Sequence, residues 1–236
     1  MRVFASLVRV FIRTAATRAR VVGFVIAGAV AVLVAWRIGA QPTGDRAQRA
    51  FDVTDVGNLS FLAPVAALVF GASVLGDPAE DGTLIYLWLR PVSRRVTGLA
   101  ACVAALVLAI PAAVVPAVLA QVALGPGGTP TGSAAATALA TAAYTTVFVL
   151  VGLVTSRSLV WGIAYLLIFE QFIARGGKSL GAFSVHAQAV SIVAPRRTLS
   201  SAVAYFTPAS AAAALIAVAA VGAFAVAWQL DRADVA

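Results

Sequence analysis

The chain has one cysteine (Cys102), one histidine (His186), one lysine (Lys178) and no methionine after Met1. A disulfide needs two thiols, and zinc sites or Cys-X-X-Cys redox centres need Cys/His clusters, so all three are excluded within one chain. Charge is also scarce: only 11% of the 236 residues are Asp, Glu, Lys or Arg. Hydrophobic residues make up 61%, and the mean hydropathy is +0.97. Folded in water, a chain of this size could not hide so much apolar surface. A net charge of +8 is a common mark of nucleic-acid binders. Here, however, the 17 basic residues are scattered between long uncharged runs and build no basic face, so no nucleic-acid partner is expected. They mark loops between membrane spans.

A hydrocarbon core about 30 Å thick needs roughly 20 apolar helical residues per crossing. Six stretches qualify: about 21–36, 57–76, 96–121, 133–154, 159–174 and 209–230. The third carries Pro111 and Pro116, which remove backbone donors and predict a tilt or kink. Residues 1–20 read as an amphipathic helix lying in the interface, with Val3, Phe4, Leu7, Val8, Phe11 and Ile12 on one face and Arg2, Ser6, Arg9 and Arg13 opposite. The basic start and apolar run also resemble a signal peptide, but Ile38-Gly39-Ala40 is a poor cleavage site. The whole predicts one all-α integral membrane domain.

Arg2, Arg9, Arg13, Arg18 and Arg20 precede the first span, against Arg37, Arg46 and Arg49 after it, which places the N-terminus in the cytoplasm. Six crossings then bring the C-terminus to the same side, with ten basic residues inside and seven outside. Arg175, Lys178, Arg196 and Arg197 oppose the bias, within a long external loop where the rule weakens. In that loop, 175–208, Phe183, Ala187, Val190 and Ala194 share a helical face and Ser184, Gln188 and Ser191 another, which predicts a short helix on or dipping into the outer leaflet. Arginine in great excess over lysine, with abundant Ala and Val, points by association to a GC-rich bacterial genome and a bacterial plasma membrane.

One polar stretch has internal logic, the loop 77–95 between the second and third spans. Asp77, Pro78 and Glu80 predict a helix start: an N-cap, a proline at the first position and a capping-box partner. After Gly82, the apolar run from Leu84 to Leu89 is too short to cross a membrane and predicts a buried contact, with the amphipathic helix of the same chain or with another protein. Acidic residues before Gly82-Thr83-Leu84, a hydrophobic run, and Pro91-Val92-Ser93-Arg94 nine residues after the glycine resemble the cytoplasmic loop of ABC-2 type transporter permeases. The layout resembles that family over nearly the whole chain, and the specific residues over about 77–95. One departure is Ala101, where many family members carry a lysine.

The resemblance implies a permease that pairs with a second copy or a paralogue and exports cargo on ATP hydrolysis in separate ATPase subunits. ATP and Mg²⁺ would bind in that partner and no cofactor in this chain, which would not itself be an enzyme. Residues 1–20 would be the elbow helix and 77–95 the coupling element seated in the ATPase. Leu84, Leu87 and Trp88 would fill its cleft, while Glu80, Arg90, Arg94 and Arg95 set the register by charge. Asp77, Gly82, Thr83 and Pro91 would belong to the same interface. The apolar spans suggest a hydrophobic or amphipathic cargo, a drug or lipid.

Glu170 is the one acidic residue inside a span, where a charge costs roughly 2.5–3.5 kcal/mol on insertion scales. It could line a translocation path, as a self-sufficient secondary transporter or channel would require. The favoured expectation is a place near the outer interface, paired with Arg175. His186 has no acid or second histidine at ligand spacing and is expected on the surface. Gly177-Lys178-Ser179 imitates the end of a phosphate-binding loop, but Phe172 stands where the first glycine is needed.

Overall fold

The computed structural model describes residues 2–41, 45–83, 92–155, 157–173, 181–193 and 206–232, and these are helical without strands. In chain order they form α1 (Arg2–Ala15), α2 (Arg18–Gly39), α3 (Arg46–Asp52), a first π-helical segment π1 (Val53–Leu62), α4 (Ala63–Glu80), α5 (Arg94–Ala123) and α6 (Pro130–Val154). Then follow α7 (Ser158–Ala164), a second π-helical segment π2 (Tyr165–Ile173), α8 (Val185–Val193) and α9 (Pro208–Arg232).

Five helical stretches among the described residues are long and apolar enough to cross a membrane: α2, the continuous helix Arg46–Glu80, α5, α6 and α9. The expected fifth span, 159–174, corresponds to α7 and π2, which together run from Ser158 to Ile173; the residues that follow lie outside the described ones. The second stretch starts about a dozen residues earlier than its hydropathy suggested. Its first turns carry Asp52, Thr54 and Asp55, which a hydropathy window rejects but which Gln48, the Ala50 carbonyl and His186 engage. The long third helix runs unbroken through Pro111 and Pro116.

The bundle is built around α4, α5 and α6. α4 packs along α6 and α5, α9 packs on α6 and α5, and α2 rests mainly on α5. Close approach relies on small residues, because lipid tails are as apolar as leucine and give no hydrophobic drive to helix pairing. A Cβ on Gly152 would stand 2.5 Å from the carbonyl oxygen of Ala72, and one on Gly71 2.9 Å from that of Thr145. α4 and α6 therefore touch backbone to backbone.

The distribution of polarity is the reverse of a water-soluble protein. Thr137, Thr141, Thr145 and Thr146 are buried, whereas Val25, Ile26, Leu33, Trp36, Phe61, Trp161 and Phe224 are exposed. Hydrocarbon, not water, is the solvent that suits this surface.

The two ends of the bundle carry different polar residues. One, here the loop end, gathers the start of α2, the end of α4, the start of α5 and the end of α9, joined by the Arg20–Asp77 and Arg95–Asp231 ion pairs, both 2.8 Å. The amphipathic α1 is held there, burying Leu7, Phe11 and Ala15 in a cluster with Val74, Leu75, Cys102 and Val226. It stops at Ala15, and Thr17 caps α2 by accepting the Arg20 amide, so the expected helix over 1–20 is two helices. The far end holds α3, the π segments and α8.

Candidate functional site

The loop end places part of the segment 77–95. Asp77, Pro78 and Glu80 do not begin a new helix: they are the last turn of α4, with Pro78 inside it. Termination falls at Gly82, whose φ of +67° is open to glycine and strained for other residues. Its amide donates to the carbonyl of Ala79 (3.3 Å) and that of Thr83 to the carbonyl of Pro78 (2.9 Å), a Schellman closure. Across the gap, Ser93 caps α5 by accepting the Val96 amide at 3.4 Å. Leu84, Leu87, Trp88, Arg90 and Pro91 lie outside the described residues. The described members, Asp77, Glu80, Gly82, Thr83, Arg94 and Arg95, thus stand on two capped helix ends that face one another across the loop.

Asp77 has a second function in this geometry. Arg20 donates through Nη2 to its Oδ2 (2.8 Å) and through Nη1 to the carbonyl of Ala15 (3.2 Å). One guanidinium therefore fastens the end of α1, the start of α2 and the end of α4. Planar, multi-donor geometry of this kind suits arginine and not lysine.

At the far end the structure assembles a buried polar cluster. Glu170, 3% exposed, accepts from the hydroxyl of Tyr165 (3.0 Å), the hydroxyl of Ser184 (2.5 Å) and the amides of Val185 (3.1 Å) and His186 (3.4 Å). Its carboxylate therefore caps the N-terminus of α8, where unpaired amides and the helix dipole favour negative charge. His186, 6% exposed, directs Nε2 to Asp55 Oδ1 at 2.8 Å and to Ser60 Oγ at 3.0 Å. Tyr144 stacks on Phe148 at 6.1 Å, and Tyr165 meets the same Phe148 edge-on, so aromatic rings wall the cluster from the bundle core.

One of the two expectations for these residues needs correction. Glu170 is buried inside the bundle at its far end, held by α8 and Tyr165; Arg175, its expected partner, lies outside the described residues. His186 is buried rather than on the surface, because α8 is enclosed by α6, α9 and π1 instead of lying on a leaflet. Sequence reasoning missed Asp55 and Ser60 altogether. A signal existed in the spacing, since Asp55–Ser60 and Tyr165–Glu170 are both five apart. In an α-helix, at 3.6 residues per turn, such pairs diverge; the i→i+5 bonding of a π-helix brings them towards one face.

A third polar group joins π1 to its neighbours. Gln121 donates to the carbonyl of Ala50 (2.9 Å) and to Thr54 Oγ1 (2.7 Å), and its own Oε1 accepts the amide of Thr129 (3.0 Å). This buried amide ties α5 to the junction of α3 and π1, adding to a carbonyl that already accepts from the Val53 amide and the Thr54 hydroxyl. No protein-family model matches the sequence, and no curated protein matches it.

Proposed function

We propose that this chain is the membrane-spanning subunit of an ABC-2 type exporter. It would pair with a second permease copy in a bacterial plasma membrane and be driven by separate ATPase subunits, with a hydrophobic or amphipathic molecule as cargo. The observation that carries this reading is the mechanical setting of the loop 77–95. Its two ends are the capped termini of α4 and α5, the helices that pack along α6 at the centre of the bundle. The amphipathic α1 packs on the same two helices and is tied to Asp77 through Arg20.

A push delivered to the loop would reach α4 and α5 as rigid bodies, with little loss in a floppy connection. Closure of two ATPase subunits on ATP is such a push. ATP and Mg²⁺ belong to those partners, and this chain contributes the lever and the path. The basic residues at this end, Arg94, Arg95 and the arginines of α1, support a cytoplasmic position for it, with both chain termini on that side.

A carrier driven through Glu170 has less support. That carboxylate is committed to four donors, so moving a proton or cation through it would release α8.

Reversing Arg94 and Arg95 to glutamate is expected to lower recovery of the ATPase in co-purification on the order of tenfold, about 1.4 kcal/mol. Because Arg95 also pairs with Asp231, the control is Asp231→Asn, which breaks that ion pair without touching the loop. Full recovery of the ATPase with the reversed arginines would remove them from the interface.

A further inference from the structure

Beside the loop, the end of α4, the start of α2 and the first turn of α7 enclose a hollow of about 460 Å³. Arg20, Asp77, Glu80 and Arg157 line its charged part, and Val69 and Leu159 its apolar part. Arg20 and Asp77 satisfy one another. Glu80 and Arg157 do not: both are exposed, they carry opposite charge, and among the described residues neither makes an ion pair or a side-chain hydrogen bond. Among the described residues the hollow is thus neutral overall yet presents one cation and one anion without an ion pair. An occupant matches it when it carries an anion and a cation on one small group.

The walls add a second requirement. Val69 lies about three turns from Glu80 along α4, in its apolar stretch, and exposed Leu159, Val160 and Trp161 continue the surface along α7. A wet charged rim next to a dry wall marks the level where head groups meet hydrocarbon, and an exposed Trp is typical there. A free dipolar ion in water would leave the dry wall unused, whereas a lipid covers both parts.

We propose that this hollow binds a zwitterionic phospholipid whose head group ends in a primary ammonium, with its phosphate on Arg157, its ammonium on Glu80 and its chains along Val69 and Leu159. Arginine pairs with phosphate through two parallel N–H donors. A primary ammonium has three donors for the Glu80 carboxylate, while a quaternary ammonium has none. The proposal does not depend on the transport reading.

The test titrates delipidated protein in micelles with phosphatidylethanolamine, phosphatidylcholine or phosphatidylglycerol of identical chains and counts bound lipid by native mass spectrometry. Wild type is expected to retain phosphatidylethanolamine at about tenfold lower concentration than either other lipid. Arg157→Gln loses that retention by about tenfold, and Glu80→Gln reverses the preference in favour of phosphatidylglycerol, since the repelling carboxylate is gone and the arginines remain. Arg95→Gln, outside the hollow, leaves retention unchanged. Both altered residues are exposed, and matching thermal unfolding confirms that the variants fold. Equal retention of the three lipids, a wild-type preference for phosphatidylglycerol, or wild-type behaviour of both variants would overturn the proposal. Displacement of the lipid by soluble glycerophosphoethanolamine at equal concentration would also overturn it, because the apolar wall would then contribute nothing.

Discussion

Glu170→Leu is expected to destabilise the far end of the bundle by about 3–5 kcal/mol. The carboxylate serves four donors at once: the hydroxyls of Tyr165 and Ser184 and the amides of Val185 and His186. Leucine has similar volume and fills the space, but it accepts nothing. Each buried donor left unmatched costs about 1–3 kcal/mol, of which local relaxation recovers part. In a membrane setting water cannot readily replace the lost acceptor. Thermal unfolding in micelles measures the total, and amide exchange at Val185 and His186 locates it: protection there should fall while α1 and the start of α5 keep theirs. Glu170→Gln keeps one acceptor oxygen and should lie between the two. An unchanged melting temperature in the leucine variant would mean that α8 is held by packing alone.

The second large effect is expected at Gly152. A Cβ there meets backbone on the facing helix, the oxygen of Ala72 at 2.5 Å and its Cα at 3.1 Å, and backbone cannot rotate away as a flexible side chain can. Gly152→Leu must push α4 from α6, the most extensive contact of the bundle, and should cost about 3 kcal/mol or more, at or beyond the upper end of ordinary overpacking. Gly132→Ala, in the same helix with nothing within 4 Å of its Cβ position, is the comparison. Its helix propensity predicts no loss and a small gain, up to about 1 kcal/mol. If both variants melt together with wild type, α4 and α6 are not in backbone contact at Gly152.

The residues differ in how much of this they announced. Four of the six apolar runs became membrane-length helices with bounds within about three residues of expectation, since a run of apolar residues that long has few alternatives. The run 159–174 is helical from Ser158 to Ile173, but its second half is π-helical, which hydropathy alone does not reveal. Asp77-Pro78 was misread because proline opens a helix and sits in a last turn with the same local sequence; only the helix already running through Val74 and Leu75 decides between them. His186 was placed at the surface for a different reason. Polar residues next to apolar runs look solvent-facing until a short helix such as α8 is seen folded back into the bundle. The i,i+5 pairs went unread because neither α nor β periodicity contains them, and only the π-helical period does.

The account rests on the loop 77–95 being the place where work enters from outside the chain. The measurement closest to that claim puts a photoreactive amino acid at Thr83, exposed at the end of α4, and irradiates native membranes from the cytoplasmic face; the same group at Thr131, exposed at the far end, is the comparison. The account predicts that Thr83 captures a subunit carrying a complete phosphate-binding loop and that Thr131 captures none. Thr83 reacting only with reagents on the outer face, or capturing no such subunit while it hydrolyses ATP beside this chain, would contradict it.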